Sequence, residues 1–112
     1  MKPLLFVGRS REELRNFPVD ARREAGHDLD RLQRGMNPRD WKPLKTVGSG
    51  VCEIRVRDKG AYRVIYIASL PDAVYALHAF HKTTQKTESL NIELATKRFR
   101  ELMRHQMKRD ST

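Results

Sequence analysis

The sequence predicts an α+β domain in which an N-terminal pair of helices packs on a twisted antiparallel sheet, followed by a C-terminal helix. Three observations predict it. The length of 112 residues suits a single domain covering residues 1–112. Apolar residues recur at helical spacing in the first third of the chain and again near its end. Between those regions they follow the period of two that is typical of strands.

The first third predicts a strand and an αα-hairpin. Residues 4–7 form a short apolar run typical of an opening strand. Ser10 and Glu13 match a capping box, which predicts a short helix after that strand. A second helix is expected over residues 18–34, and Gly35 stands where a glycine commonly ends a helix.

The middle of the chain predicts an antiparallel meander. Residues 51–57 alternate between apolar and polar, and Gly60 follows in a turn where it is free to take a positive φ. Residues 62–70 and 74–80 are nearly continuous β-branched and aromatic runs. Such runs are typical of strands that are covered on both faces.

The last third predicts a polar connection and a helix. Residues 81–87 carry cations, hydroxyls and an amide, and Thr87 is expected to cap the helix that follows. Residues 108–112 are charged and are expected to form a frayed tail. The apolar stripe of this helix comprises Ile92, Ala95, Phe99 and Leu102.

The charge balance indicates an anionic partner. Lys and Arg number 23 against 14 Asp and Glu, so the formal net charge is +9. Nucleic acid, an acidic protein or a membrane surface would each suit this surplus, and a merely basic surface is the alternative. Cys52 is the one cysteine, so no intramolecular disulfide can form, which fits a reducing compartment. No Cys/His spacing indicates a metal site, and no cofactor is expected.

No apolar stretch approaches the length of a membrane span, and the apolar run at the N-terminus is too short for a signal peptide. We therefore expect a cytoplasmic protein that does not associate with a membrane.

Charged side chains concentrate on the predicted strands. Glu53, Arg55 and Arg57 share one strand face, which must meet water or an anion. Arg63 lies within the most hydrophobic strand, on the face that alternation assigns to Ile65. A guanidinium there either lines a phosphate-binding groove or forms an ion pair with Glu53, and such a pair would also orient it.

Four stretches together resemble the phage-derived branch of the RelE/HigB toxin superfamily. The run at residues 80–87, Phe-x-Lys-x-Thr-Gln-Lys-Thr, is specific when it is combined with Glu-Ile-Arg at residues 53–55. Glu88 departs from the family, which usually carries proline there. The four stretches are residues 42–45, 48–57, 62–66 and 74–87.

The resemblance implies a RelE-like fold and the toxin of a type II toxin–antitoxin system. It further implies metal-independent cleavage of messenger RNA in the ribosomal A site, through attack by the RNA 2′-hydroxyl. The implied partners are mRNA, the ribosome and a helix-turn-helix antitoxin.

Motif position assigns candidate roles to the polar residues. Arg63 is expected to clamp the phosphate, with Arg55 beside it, and Lys82 to act as a second cation or acid. His81 is a candidate acid or base because imidazole titrates near neutrality. Tyr66 either stacks on a base or belongs to the core, and alternation favours the core. The remaining RNA-binding candidates are Glu53, Arg57 and Lys86.

A non-catalytic alternative stays open. The same charge would suit a basic nucleic-acid-binding protein, or a decayed toxin that acts with its antitoxin in operator binding. A third hypothesis is that the positive face mainly holds an acidic antitoxin segment.

Overall fold

A computed structural model describes the backbone of residues 1–110 and the side chains of residues 1–109. It confirms the α+β class, with two N-terminal helices, a twisted sheet and a C-terminal helix, an arrangement compatible with a RelE-like fold. Residues 111 and 112, part of the expected frayed tail, lie outside the described range, whereas residues 108–110 continue the last helix. The elements are β1 (Leu4–Phe6), α1 (Ser10–Arg15), α2 (Val19–Gln33), β2 (Trp41–Pro43), β3 (Val51–Arg57), β4 (Ala61–Ile67), β5 (Val74–Lys82) and α3 (Gln85–Asp110).

Within the described residues the sheet has five strands in the order β1-β5-β4-β3-β2. The pairs from β2 to β5 are antiparallel and form the predicted meander. β1 pairs with β5 in parallel, because the helical hairpin and the meander both lie between them in the chain. No helix in residues 1–110 combines the length and apolarity needed to span a bilayer.

Two apolar layers cover opposite faces of the sheet. α2 packs on one face through Ala25 and Leu29, against side chains that include Ile54. α3 packs on the other through Ala95 and Leu102. The central strand β4 contributes to both layers, which explains its continuous apolar run.

A β-bulge changes the side-chain alternation in β5. Ile65 pairs with His78 but Tyr66 pairs with Ala76, so Leu77 is the extra residue. If β5 alternated without this extra residue, each side chain after Leu77 would lie on the opposite face of the sheet. His78 and the alternate residues after it, through Lys82, face α3, whereas Ala79 and His81 face α1 and α2.

Two local predictions, at the first helix and at the β3–β4 turn, are wrong. No side chain caps α1: the Ser10 hydroxyl donates to the carbonyl of Ala76 at 2.9 Å, and Glu13 bonds elsewhere. In the β3–β4 turn the positive φ, 55°, falls on Lys59 and not on Gly60.

The strand and helix ends also differ from the predictions. β5 extends to Lys82, so two residues of the expected polar connection are in a strand. α3 begins before Thr87, and the hydroxyl of Thr84 accepts from the backbone N–H of Thr87 at 3.1 Å. β4 ends at Ile67, short of the predicted residue 70, and the edge strand β2 is additional.

Candidate nucleic-acid interface on the sheet

Glu53 lies at the centre of a group of cations on the α3-facing side of the sheet. Its side chain is 2% exposed. Its Oε1 lies 3.1 Å from Arg55 Nε, 3.6 Å from Lys42 Nζ and 3.9 Å from Arg63 Nε. Three neighbouring strands supply these residues, and we call them the Glu53 cluster. In the described ion pairs Glu53 is the sole acidic partner of these cations, so the cluster carries a surplus of two positive charges.

Arg63 is the most buried cation of this cluster, with a side chain that is 8% exposed. Its Nη1 donates to the carbonyl of Tyr62 at 3.1 Å. Its Nε has no hydrogen-bond partner among the described residues, because the approach to Glu53 is too long for a hydrogen bond. A buried donor left open is costly, so the protein neighbours of this guanidinium do not satisfy it fully.

Strand register extends the cluster toward the β3–β4 turn. Arg55 pairs with Arg63, which pairs with Phe80 on β5. In the next row Arg57 pairs with Ala61, which pairs with Lys82. Side chains two residues apart on a strand share a face, so the candidates of both rows lie on the face of Glu53.

Glu88 of α3 lies beside the last of these cations. Its Oε2 is 3.4 Å from Lys82 Nζ, an ion pair at the beginning of the helix. Lys86 is exposed in the first turn of the same helix. The expected polar connection therefore brings one strand lysine and one helix lysine to the same end of the sheet.

The other two sequence-predicted candidates lie on the opposite face. The His81 ring stacks on Tyr62, with ring centroids 4.6 Å apart and an interplanar angle of 18°. Tyr66 is buried in the layer beneath α2, and burial together with Cys52 raises the pKa of its phenol. The prediction of a core position for Tyr66 is confirmed, and neither ring contacts the Glu53 cluster.

Lys42 is the member of the cluster that sequence reasoning did not select. It pairs with Glu53 across β2 and β3. The next residue is Pro43. Because proline in a sheet is confined to edges and bulges, the sequence did not indicate a strand at this position. The sequence signal for this strand was the Lys-Pro pair upstream of the first alternating run, since such a pair is compatible with an edge strand.

Comparison with protein families identifies the family of this chain. The sequence model of the family described as phage-derived protein Gp49-like (DUF891) matches residues 12–100, which is most of the chain. The chain belongs to the Gp49-like family. That family is related to RelE-type toxins, so the resemblance seen in the sequence is confirmed at this level. Comparison with curated proteins gives no match.

The Gp49-like chain contains a second carboxylate–arginine group, at the free edge of β5. Arg98 of α3 donates from Nη1 and Nη2 to the two carboxylate oxygens of Glu13, at 2.8 and 2.9 Å. His78 Nδ1 lies 2.9 Å from Glu13 Oε1, and its Nε2 bonds Asn91. His78 is buried and both of its ring nitrogens have partners, so it is a core histidine. We call these four residues the Glu13 network.

Burial alone would raise the pKa of Glu13, but the hydrogen bonds from His78 and Arg98 outweigh it and lower the pKa to about 2. The carboxylate also accepts from the backbone N–H of Ala79 at 3.3 Å. Within this Gp49-like fold the Glu13 network therefore joins α1, β5 and α3.

Proposed function

We propose that this Gp49-like chain is the toxin of a type II toxin–antitoxin system, of the HigB-like branch, and that it cleaves mRNA in the ribosomal A site. The observation that carries the proposal is Arg63, a buried guanidinium with an open donor among surplus cations. Family membership supports the toxin assignment, since the family is related to RelE-type toxins. A helix-turn-helix antitoxin is the proposed partner that neutralises it.

The proposed reaction needs no nucleophile from the protein. The RNA 2′-oxygen forms a bond to the adjacent phosphorus, and the bond from phosphorus to the 5′-oxygen breaks. A proton leaves the 2′-hydroxyl and another reaches the 5′-oxygen, so the products are a 2′,3′-cyclic phosphate and a 5′-hydroxyl. Catalysis requires proton transfer at both oxygens and stabilisation of a dianionic phosphorane.

The Glu53 cluster suits the electrostatic part of this reaction. Arg63 and Arg55 supply planar donors for the non-bridging phosphate oxygens, and Glu53 holds both guanidiniums in orientation. Lys82 is the proposed second cation, and it is a candidate donor to the leaving 5′-oxygen. Flanking phosphates would be held by Arg57 and Lys86.

The test is cleavage of mRNA in purified ribosomal complexes. We expect Arg63→Ala to lower the cleavage rate by a factor of at least about 100, the typical cost of removing one preorganised donor. Arg63→Lys should lose most of that rate as well, because lysine lacks the planar fork. The matched control is Arg34→Ala, which removes one positive charge from an exposed ion pair at the end of α2. Full cleavage by Arg63→Ala would overturn the site assignment.

A non-catalytic function is the second candidate, favoured by the ion pair that Arg63 already makes with Glu53. In that case the positive face binds nucleic acid together with an antitoxin. Binding would fall steeply with salt and no cleavage product would form on programmed ribosomes. The neighbouring reading frame gives a further check, because a short helix-turn-helix gene immediately downstream would support the toxin–antitoxin assignment.

A further inference from the structure

Three aromatic rings form a ladder on the face of the sheet opposite the Glu53 cluster. Phe17 contacts Tyr62 with ring centroids 4.9 Å apart, and Tyr62 stacks on His81 at 4.6 Å. Phe17 and Tyr62 are buried, whereas His81 is exposed. The aromatic ladder therefore ends in an imidazole with one face covered by Tyr62 and the other toward solvent.

The turn between β3 and β4 supports this ring position. A side chain at Gly60 would bring its Cβ within 3.0 Å of His81 Nε2 and 3.4 Å of the Tyr62 ring. Glycine at residue 60 therefore allows the imidazole to lie against the turn. The local sequence thus holds the exposed ring in one orientation, which a stacking surface requires.

A recess lies beside the aromatic ladder, at the free edge of β5. Besides the three rings its lining includes Asn16, Pro18 and Phe80. The carboxamide of Asn16 is exposed and has no hydrogen-bond partner within residues 1–109. An aromatic face next to an open carboxamide matches a nucleobase, which offers a π-surface and an edge of donors and acceptors.

The recess and the Glu53 cluster are linked through the last residues of β5. Phe80 lines the recess and is also the cross-strand partner of Arg63. Lys82 follows His81 directly and faces the cluster side of the sheet. A strand of RNA whose phosphates lie along the cations can therefore present a neighbouring base to the recess.

We propose that this recess is a nucleobase-binding subsite, in which a base flanking the cleaved phosphate stacks on His81 and hydrogen-bonds to Asn16. The inference rests on the proposed function, because it takes RNA as the ligand. It assigns to His81 a binding role that depends on its ring and not on its titration. The imidazole lies on the opposite sheet face from Arg63, which supports binding over proton transfer.

The experiment uses 2-aminopurine, a fluorescent base that stacking quenches. A short 2′-O-methyl RNA, which lacks the nucleophile and resists cleavage, carries the probe at successive positions. It is presented both free and in the A site of programmed ribosomes. We expect the wild-type protein to quench one position. His81→Ala should lose that quenching and bind about tenfold more weakly, as is typical for one stacked base. His81→Phe should restore the quenching and the RNA affinity to within about twofold of the wild-type values.

The controls separate stacking from other roles of His81. His105→Ala, which removes an exposed histidine of α3, should leave quenching and affinity unchanged. Asn16→Ala should weaken binding without abolishing quenching. Cleavage of unmodified mRNA is measured in parallel, and His81→Phe should recover part of the activity that His81→Ala loses.

Three outcomes would overturn the subsite. They are quenching at no position, a His81→Phe variant as defective as His81→Ala, and protection of the recess by an antitoxin peptide without any effect of RNA. Failure of the proposed function gives a different result: cleavage is absent from the wild type while quenching persists. Cleavage without quenching leaves the proposed function intact and removes the subsite.

Discussion

Two carboxylates, the half-buried Glu13 and the buried Glu53, are each surrounded by positive side chains in a different way. Glu13 receives both Nη donors of one arginine at 2.8 and 2.9 Å. Glu53 meets three cations at 3.1, 3.6 and 3.9 Å, and only Arg55 is within hydrogen-bond distance. Glu13 is bound by a bidentate arginine that bonds both of its oxygens, whereas Glu53 has three cations around one oxygen.

The difference is that between a structural ion pair and the surface we propose for RNA. At the Glu13 network one arginine satisfies both carboxylate oxygens and no buried polar atom is left without a partner among the described residues, so the group is complete without a ligand. At the Glu53 cluster a surplus of positive charge remains, and the Nε of Arg63 is open. An anion bound at that cluster would offset its surplus of positive charge. Substitutions at the first group should thus change stability, and those at the second should change RNA affinity and cleavage.

The largest expected effect on stability is that of Arg98→Ala. It leaves the Glu13 carboxylate half-buried without its bidentate partner, which should cost about 3 kcal/mol of unfolding free energy. Urea denaturation followed by circular dichroism measures this cost. Arg34→Ala, at an exposed ion pair, should cost less than about 0.5 kcal/mol. A loss below about 1 kcal/mol for Arg98→Ala would contradict the structural role.

A second test uses the pH dependence of the same network. The pKa of Glu13 is lowered from 4.5 to about 2, so its ionised form stabilises the folded state. This contribution is complete above the unfolded pKa and disappears as pH falls from about 4.5 through about 2. Allowing for partial exposure, we expect Glu13→Gln to be less stable by about 2 kcal/mol at pH 6.

The measurement is the difference in urea midpoint between wild type and Glu13→Gln at several pH values. Other carboxylates cancel in that difference. Most of the gap should close by pH 2, and a gap that stays constant would show that the ionisation of Glu13 contributes nothing.

Glu53→Gln should change RNA affinity and the cleavage rate in opposite directions. Removing the negative charge adds net attraction for RNA, so affinity for a short single-stranded RNA should rise slightly. The cleavage rate should fall about tenfold, since Arg55 and Arg63 lose the carboxylate that orients them. Single-turnover cleavage and filter binding measure the two quantities. Parallel losses in both would show that Glu53 acts through the fold instead.

The smallest expected effect is that of Lys42→Ala. The side chain is 47% exposed, so stability should change by less than about 0.5 kcal/mol. If Lys42 contacts a phosphate, the slope of log affinity against log salt should decrease by about 0.7 for single-stranded RNA. Lys45→Ala serves as a neighbouring control of equal charge. Identical slopes for Lys42→Ala and wild type would remove Lys42 from the interface.

Local patterns predicted the parts of the fold that depend on local physics. Period-two alternation located β3, and it placed Arg63 on the face of Ile65, because two residues on a strand always share a face. Positive φ in the hairpin was assigned to Gly60 because glycine tolerates it best, yet tertiary pairing selected Lys59. The strands were therefore predictable, and the turn geometry was not.

Long-range features of the site could not be predicted in this way. Glu13 and Arg98 are 85 residues apart, and the sequence predicted a helix-capping role for Glu13 and no role for Arg98. The extra residue Leu77 moves His81 away from Arg63 and brings Lys82 toward it. No composition signal marks that bulge, because valine, alanine, leucine and histidine fit either face of a strand. Alternation along the strands predicted that Glu53, Arg55 and Arg63 share a face, but it did not predict Lys42 as the fourth member of the Glu53 cluster.

The free edge of β5 has a consequence for how the protein behaves at high concentration. Beyond its pairing with β1, this strand would offer unused main-chain groups to any other extended chain. Glu13 accepts from the N–H of Ala79, so one side chain of α1 bonds a main-chain donor beyond the residues that pair with β1. We expect this bond to make that edge less able to pair with a second chain, which would lower the tendency to aggregate.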